Sequence, residues 1–250
     1  MQNSDRLAEW LREQTAAFTA HVRDFAEPVP TCPEWTVRDL VAHIGQEHRW
    51  AAEIVRTGRP VEVPDPRAQH VPENWADWLH DGARELIDAV NRSSTPVWTY
   101  LGDRPARFWL SRMLHDTTVH HADLAGRAPA IPTDLAAGAL DEVLDLLTAP
   151  GTAVVKPALG ELRGDGQTLL LRPHDTTPWL ITRGPAGPTW RRGADDADDA
   201  DDADDVAVTV TATARDLLLV FTRRLPADDP EVVVGGDRGL LDHWLTRTAL

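Results

Sequence analysis

The stretch that most constrains this chain is residues 113–123, Met-Leu-His-Asp-Thr-Thr-Val-His-His-Ala-Asp. It reads as part of one continuous helix, in which Asp116 and His120 stand four residues apart. That spacing puts both side chains on one face, one turn above the other. Trp109 and Met113 share this stripe. Ionisable groups on an apolar stripe are costly unless something pairs with them or ligates them. A carboxylate and an imidazole so placed can share a divalent metal ion, but a third ligand is wanted, since catalytic zinc usually takes three protein ligands and keeps one position open. The best donor elsewhere is His43, which shares a second stripe with Leu40, Glu47, Trp50 and Ile54. Each candidate also has a plainer reading. His43 could be a hydrogen-bonded core histidine, and Asp116 with His120 an ordinary i,i+4 pair. Two such stripes facing each other in a bundle favour a metal held between two helices.

The remaining candidates are weaker. His115 and His121 flank the pair but point to other faces, and His48 lies one turn beyond His43 and to the side. Cys32 precedes a proline, has no basic neighbour placed to activate it, and reads as structural. As the only cysteine it excludes an intramolecular disulfide. No Gly-rich dinucleotide loop, Walker loop or nucleophile elbow is present.

Taken in order, the pattern predicts helices over 4–25, 36–58, 73–91, 105–126 and 133–148, with a proline-rich crossing at 59–72. Thr36 and Asp39 form a capping box with Asp in place of Glu. After residue 150 the signal changes. Residues 168–173 and 179–182 read as short strands, and 206–211 alternates with period two. A helix from Thr213 through Phe221, a strand at 232–236 and a terminal helix from Leu240 follow. This predicts an α+β protein of two domains, helical over 1–150 and mixed over 151–250.

The net charge of −15 argues against nucleic acid and anionic membranes as partners. Eight aspartates in the Ala-Asp-Asp tract at 194–205 supply −8 of it, leaving −7 for the rest. The tract repels itself and carries no apolar anchor, so it is expected as a mobile acidic loop. No apolar run approaches the roughly 18 residues of a membrane span, and the N-terminus lacks a secretory pattern. The expected setting is cytoplasmic.

The motif Cys-Pro-Glu-Trp-Thr-Val-Arg-Asp-Leu-Val-Ala-His at 32–43, followed by Arg-Met-Leu-His-Asp-Thr-Thr-Val-His at 112–120, resembles the mycothiol-dependent maleylpyruvate isomerase family. The resemblance extends to Asp-Leu-Leu-Leu-Val-Phe-Thr-Arg-Arg-Leu-Pro at 216–226 and Gly-Asp-Arg-Gly-Leu-Leu-Asp-His-Trp-Leu at 236–245. It implies a DinB-like four-helix bundle of up-down-down-up type, followed by a small sterol-carrier-like α+β domain. It also implies that His43, Asp116 and His120 ligate a divalent metal, zinc first, and that Arg224 acts in catalysis from the second domain. Mycothiol is the implied thiol cofactor. Its thiolate adds to a cis double bond, the resulting single bond rotates, and elimination gives the trans product. A thiol S-transferase, or a non-catalytic metal-binding or regulatory member, remains open beside the isomerase. The expected partners are a small-molecule substrate and a low-molecular-weight thiol, with no nucleic acid and no membrane, on a monomer or weak dimer. The chain departs from the family in having Asp116 where Glu is usual and His121 where Arg is common.

Overall fold

The structure is a computed structural model that describes residues 4–68, 70–127, 129–193 and 206–249. The Ala-Asp-Asp tract at 194–205 lies outside the described residues. The chain divides into two compact units, Met1–Ala130 and Ile131–Leu250.

The first unit is built from α1 (Ser4–His21), α2 (Val37–Thr57), α3 (Trp75–Arg92) and α4 (Arg107–Ala125). α1 packs on α4 and α3, while α2 packs on α3 and α4, which closes a four-helix bundle. Thr36 caps α2 through the expected capping box with Asp39, and Gly58 ends it in the left-handed region at φ 70°. The α1 helix stops at His21 and not near Phe25. Beyond it Asp24 forms a turn, its carboxylate accepting from the Ala26 amide and its carbonyl from the Glu27 amide. Phe25 instead packs edge-on against Trp75, with centroids 5.4 Å apart. Between α1 and α2 lies a short hairpin, in which β1 (Pro28–Val29) pairs antiparallel with β2 (Cys32–Thr36). Cys32 and Trp35 rest from this hairpin on the core formed by Phe18, Val37, Leu40, Val41 and Ile44.

α2 and α3 approach closely at Gly45, where a Cβ would overlap the Trp78 ring. Arg49 locks this contact by donating to the carbonyls of Gly45 and Trp78, both at 2.8 Å, and by lying over the Trp78 ring. Alanine would gain about 1 kcal/mol of helix propensity here, but displacing a packed indole costs about 1–3 kcal/mol. Gly45→Ala is therefore expected to lower stability by about 1–2 kcal/mol in urea denaturation. A gain would show that Trp78 swings aside freely.

The second unit carries a five-stranded sheet among its described residues, in the order β5 (Gly187–Arg192), β4 (Trp179–Gly184), β3 (Thr168–Pro173), β6 (Val208–Ala212) and β7 (Val233–Gly236). The β3–β6 pair is parallel and the other pairs antiparallel. Strand β5 had no clear period-two signal; its edge residues are mostly only partly buried. The helix α5 (Thr133–Thr148) belongs to this unit, so the division falls at 130/131 and not near 150. Side chains explain why. Asp141 accepts from the Trp179 indole at 2.6 Å and from Arg192 at 2.9 Å, and Asp145 accepts from the Trp190 indole at 3.1 Å. These bonds tie α5 to β4 and β5, and a one-turn helix, α6 (Thr152–Val155), follows it. The helix α7 (Ala214–Phe221), capped by Thr213, buries Leu217, Leu218, Leu219, Val220 and Phe221 against α5, β3 and β6. α8 (Arg238–Arg247) closes the chain, with Trp244 fully buried. No described helix is long and apolar enough to cross a membrane.

Candidate metal centre

α2 supplies His43 and α4 supplies Asp116 and His120, all half-buried, with one ligating atom of each lying within 4.8 Å of the others. His43 Nε2 is 3.2 Å from Asp116 Oδ2, and His120 Nε2 is 3.7 Å from the same oxygen. A tetrahedral zinc with bonds of 2.0–2.2 Å holds its ligand atoms about 3.4 Å apart. The two distances bracket that value, and the two-nitrogen, one-oxygen set suits a borderline divalent metal. The shorter reach of Asp relative to Glu is thus no obstacle to convergence.

Neighbouring side chains aim the triad. His120 donates from Nδ1 to Asp123 Oδ2 at 2.7 Å, which leaves Nε2 as the lone-pair nitrogen facing the centre. Thr31, at the tip of the β1–β2 hairpin, donates to the other Asp123 oxygen. Arg112, one turn before Asp116, donates to Asp116 Oδ1 at 2.6 Å. Burial alone would raise the Asp116 carboxyl, but the Arg112 guanidinium, the His43 hydrogen bond and the His120 imidazole together hold it well below the usual carboxylate range. Trp35 walls the site from the hairpin. Its ring meets His43 edge-on at 5.1 Å and lies within 13° of parallel to His120 at 6.4 Å.

The other histidines weighed beside the triad, His48, His115 and His121, are buried in the core. Thr117 donates to the Met113 carbonyl, so it must accept from His48 Nε2–H at 2.9 Å. His48 is fully buried and burial lowers it to about 4. His121 bonds Gln14 Oε1 at 2.9 Å, while the Gln14 amide donates to the Ala130 carbonyl. Burial, with His21 nearby, lowers His121 to about 4 as well. His115 is buried, and Cys32 is half-buried on β2.

Arg224 lies in the second unit, just past α7. Arg223 adopts φ 65°, so the Arg224 amide bonds back to the Leu219 carbonyl at 2.7 Å and the Arg223 amide to Val220 at 3.0 Å. This is a Schellman stop with arginine where glycine is usual. The Arg224 guanidinium donates to the Thr222 carbonyl at 2.6 Å.

Sequence reasoning passed over Asp123, Arg112 and Trp35 as parts of this centre. Asp123 follows His120 by three residues and Arg112 precedes Asp116 by four, so helical spacing could have found both. Nothing local pointed to the Thr31–Asp123 bond, which spans 92 residues.

Residues 5–125 match the mycothiol maleylpyruvate isomerase N-terminal domain. The first unit belongs to that domain family. Two crystal structures are similar over 94 % of this chain and 93 % of their own. One is mycothiol-dependent maleylpyruvate isomerase, at 15 % identity and a TM-score of 0.59. The other is a histidine-to-alanine mutant of the mycothiol-dependent maleylpyruvate isomerase, at 14 % identity and 0.61. At these identities the likeness carries the fold, an α+β protein of two units whose first is the maleylpyruvate isomerase type of bundle. No curated protein matches the chain.

Proposed function

We propose that this protein is a metal- and thiol-dependent enzyme acting on a small unsaturated carboxylate, with mycothiol-assisted cis–trans isomerisation as its reaction. His43, Asp116 and His120 are the proposed ligands of one divalent metal, zinc by preference. The observation that carries this reading is the convergence of two imidazole nitrogens and one carboxylate oxygen from two helices, at 3.2 and 3.7 Å, in a domain of the maleylpyruvate isomerase family. A metal held there would act as a Lewis acid and stabilise a thiolate at neutral pH. The chain's own residues do the rest. Asp123 presents His120 in one tautomer, Arg112 keeps Asp116 ionised, and Trp35 shields the centre from bulk water.

Arg224 is the proposed clamp for the substrate carboxylate, because a guanidinium fork matches a carboxylate in two hydrogen bonds. The plain alternative is that it only closes the end of α7. The deciding experiment measures metal content and turnover of maleylpyruvate with and without mycothiol, for wild type and Arg224→Lys. The expected result is metal in both proteins, thiol-dependent turnover in the wild type, and a loss of at least about tenfold in Arg224→Lys, as for a lost charge-assisted bond. Net consumption of thiol would mark an S-transferase instead. Unchanged kinetics in the variant would remove Arg224 from the site.

A further inference from the structure

The β1–β2 hairpin reaches the triad through two side chains, Thr31 and Trp35. Thr31, at its tip, donates to Asp123 Oδ1, while Asp123 Oδ2 takes His120 Nδ1–H at 2.7 Å. Trp35 lies within 13° of parallel to the His120 ring and meets the His43 ring edge-on. The hairpin thus touches one ligand from α2 and one from α4, although it supplies none of the three. Its own pairing is slight. Pro28 faces Thr36 and Val29 faces Cys32, with a shift of register between the two pairs. A two-stranded hairpin is marginal in water by itself, so its place depends on what it rests against. Val29 is fully buried, and the Val37 and Arg38 amides bond the Glu27 and Phe25 carbonyls at its base. At the tip, the Thr31–Asp123 bond spans 92 residues and joins the hairpin to α4.

We propose that Thr31 is a positioning residue for the metal, acting through Asp123 on His120, and that hairpin closure and metal occupancy are coupled. This rests on the metal centre proposed above and adds the element that tunes its affinity. The coupling is reciprocal by linkage: a hairpin that tightens the metal is steadied by the metal to the same degree.

His120 and Asp123 stand at i,i+3 on α4, so helical spacing alone brings them together. It does not choose which way the carboxylate turns. An aspartate side chain has several staggered rotamers, and the bond to Nδ1–H needs one of them. Thr31 holds the second oxygen and so selects that orientation. The Asp123 side chain has no exposed surface, and a buried acceptor that loses a donor is destabilised until it finds another. Without the Thr31 hydroxyl the carboxylate turns toward other donors and relaxes its hold on His120. Either imidazole nitrogen can carry the proton, so His120 then presents a lone pair from Nε2 less of the time, and the metal is held less tightly. Trp35 flanks the His120 ring from the same hairpin, so one element governs both ring and tautomer.

The test measures zinc affinity by chelator competition for the full-length wild type, Thr31→Val, Thr31→Ser, Asp123→Asn and the Thr31→Val/Asp123→Asn double variant. Valine keeps the shape of threonine without its hydroxyl, and serine keeps the hydroxyl. Thr31→Val should bind zinc roughly five- to tenfold more weakly, a smaller loss than the roughly 10–100-fold expected of Asp123→Asn. Thr31→Ser should stay near wild type. In the Asp123→Asn background the valine should cost little more, because the route to His120 is already cut. Hydrogen exchange on wild type needs no variant: zinc should slow the amides of residues 29–36, the hairpin that closes on the site. Equal zinc affinity in wild type and Thr31→Val, or no zinc protection of the hairpin, would overturn the proposal alone. An equal loss from valine in both backgrounds would mean that Thr31 does not act through Asp123, and would overturn it too. No zinc bound by wild type would overturn the metal reading itself, and this proposal with it.

Discussion

His43→Ala and His120→Ala are each expected to lose their bound zinc on dialysis, from about one equivalent per chain to background, while keeping the helical content of wild type. A structural or catalytic zinc needs at least three protein ligands, and removing one imidazole leaves two. The loss should exceed the effect of disturbing the supports. Asp123→Asn leaves His120 in place but weakens the group that fixes its tautomer, so it should cost roughly 10–100-fold in zinc affinity. Asp116→Asn should fall on the severe side, because it removes the only carboxylate of the triad and leaves the Arg112 guanidinium facing a neutral amide. Asp116→Glu should be tolerated. Elemental analysis combined with a chelator competition orders all five proteins. Full retention of metal in both histidine variants would remove the centre from this account.

The metal-stripped protein should show two opposed pH dependences, separable by one substitution. His48 and His121 are lowered from 6.5 to about 4. Between these values the unfolded chain binds protons that the folded chain refuses, so their contribution is complete above pH 6.5 and is lost as pH falls toward 4. Glu47 has the opposite sign. Its pKa rises from 4.5 to about 7 on folding, so the folded state holds a proton that the unfolded state has released. Its contribution is complete below pH 4.5 and disappears as pH rises through 7. At about 1.4 kcal/mol per pKa unit, the Glu47 effect is up to roughly 3 kcal/mol. Glu47→Gln removes it. Urea denaturation across pH 4–8 should therefore show the variant gaining on wild type between pH 4.5 and 7, to be the more stable protein by roughly 2–3 kcal/mol at pH 8. The acid-side loss should survive in both, because His48 and His121 are untouched. A stability difference that does not change with pH would mean that Glu47 is solvated like any surface carboxyl.

Much of the bundle was legible because its signals are local. The capping box at Thr36 and Asp39, the left-handed stop at Gly58, and the apolar stripe through Leu40, Ile44, Trp50 and Ile54 all act within a few residues. Edges and neighbours were not. Phe25 continues the apolar period of α1, but the Asp24 turn ends the helix, and Trp75 from α3 takes the ring. Helix α5 looked like a fifth member of the helical half because its own pattern says only that it is amphipathic. Asp141 and Asp145 assign it to the second unit by accepting bonds from Trp179, Arg192 and Trp190, which lie 38 to 51 residues away in the chain.

The same division runs through the candidate centre. By itself the sequence determined that Asp116 and His120 share a face and that His43 lies on an apolar stripe of another helix, since helical periodicity decides both. Only the tertiary structure decided that these stripes meet, with His43 Nε2 3.2 Å from Asp116 Oδ2. Helical phase had already set His48 and His121 behind His43 and His120, and the tertiary structure gave each of them a partner in the core. His48 meets Thr117, which offers it an acceptor, and His121 meets Gln14. It also placed Glu47, which the sequence shows as one more member of a stripe, at only 9 % exposure with no hydrogen bond or ion pair among the described residues. A side chain's chemistry depends on what surrounds it, and those surroundings come from residues far away in the chain.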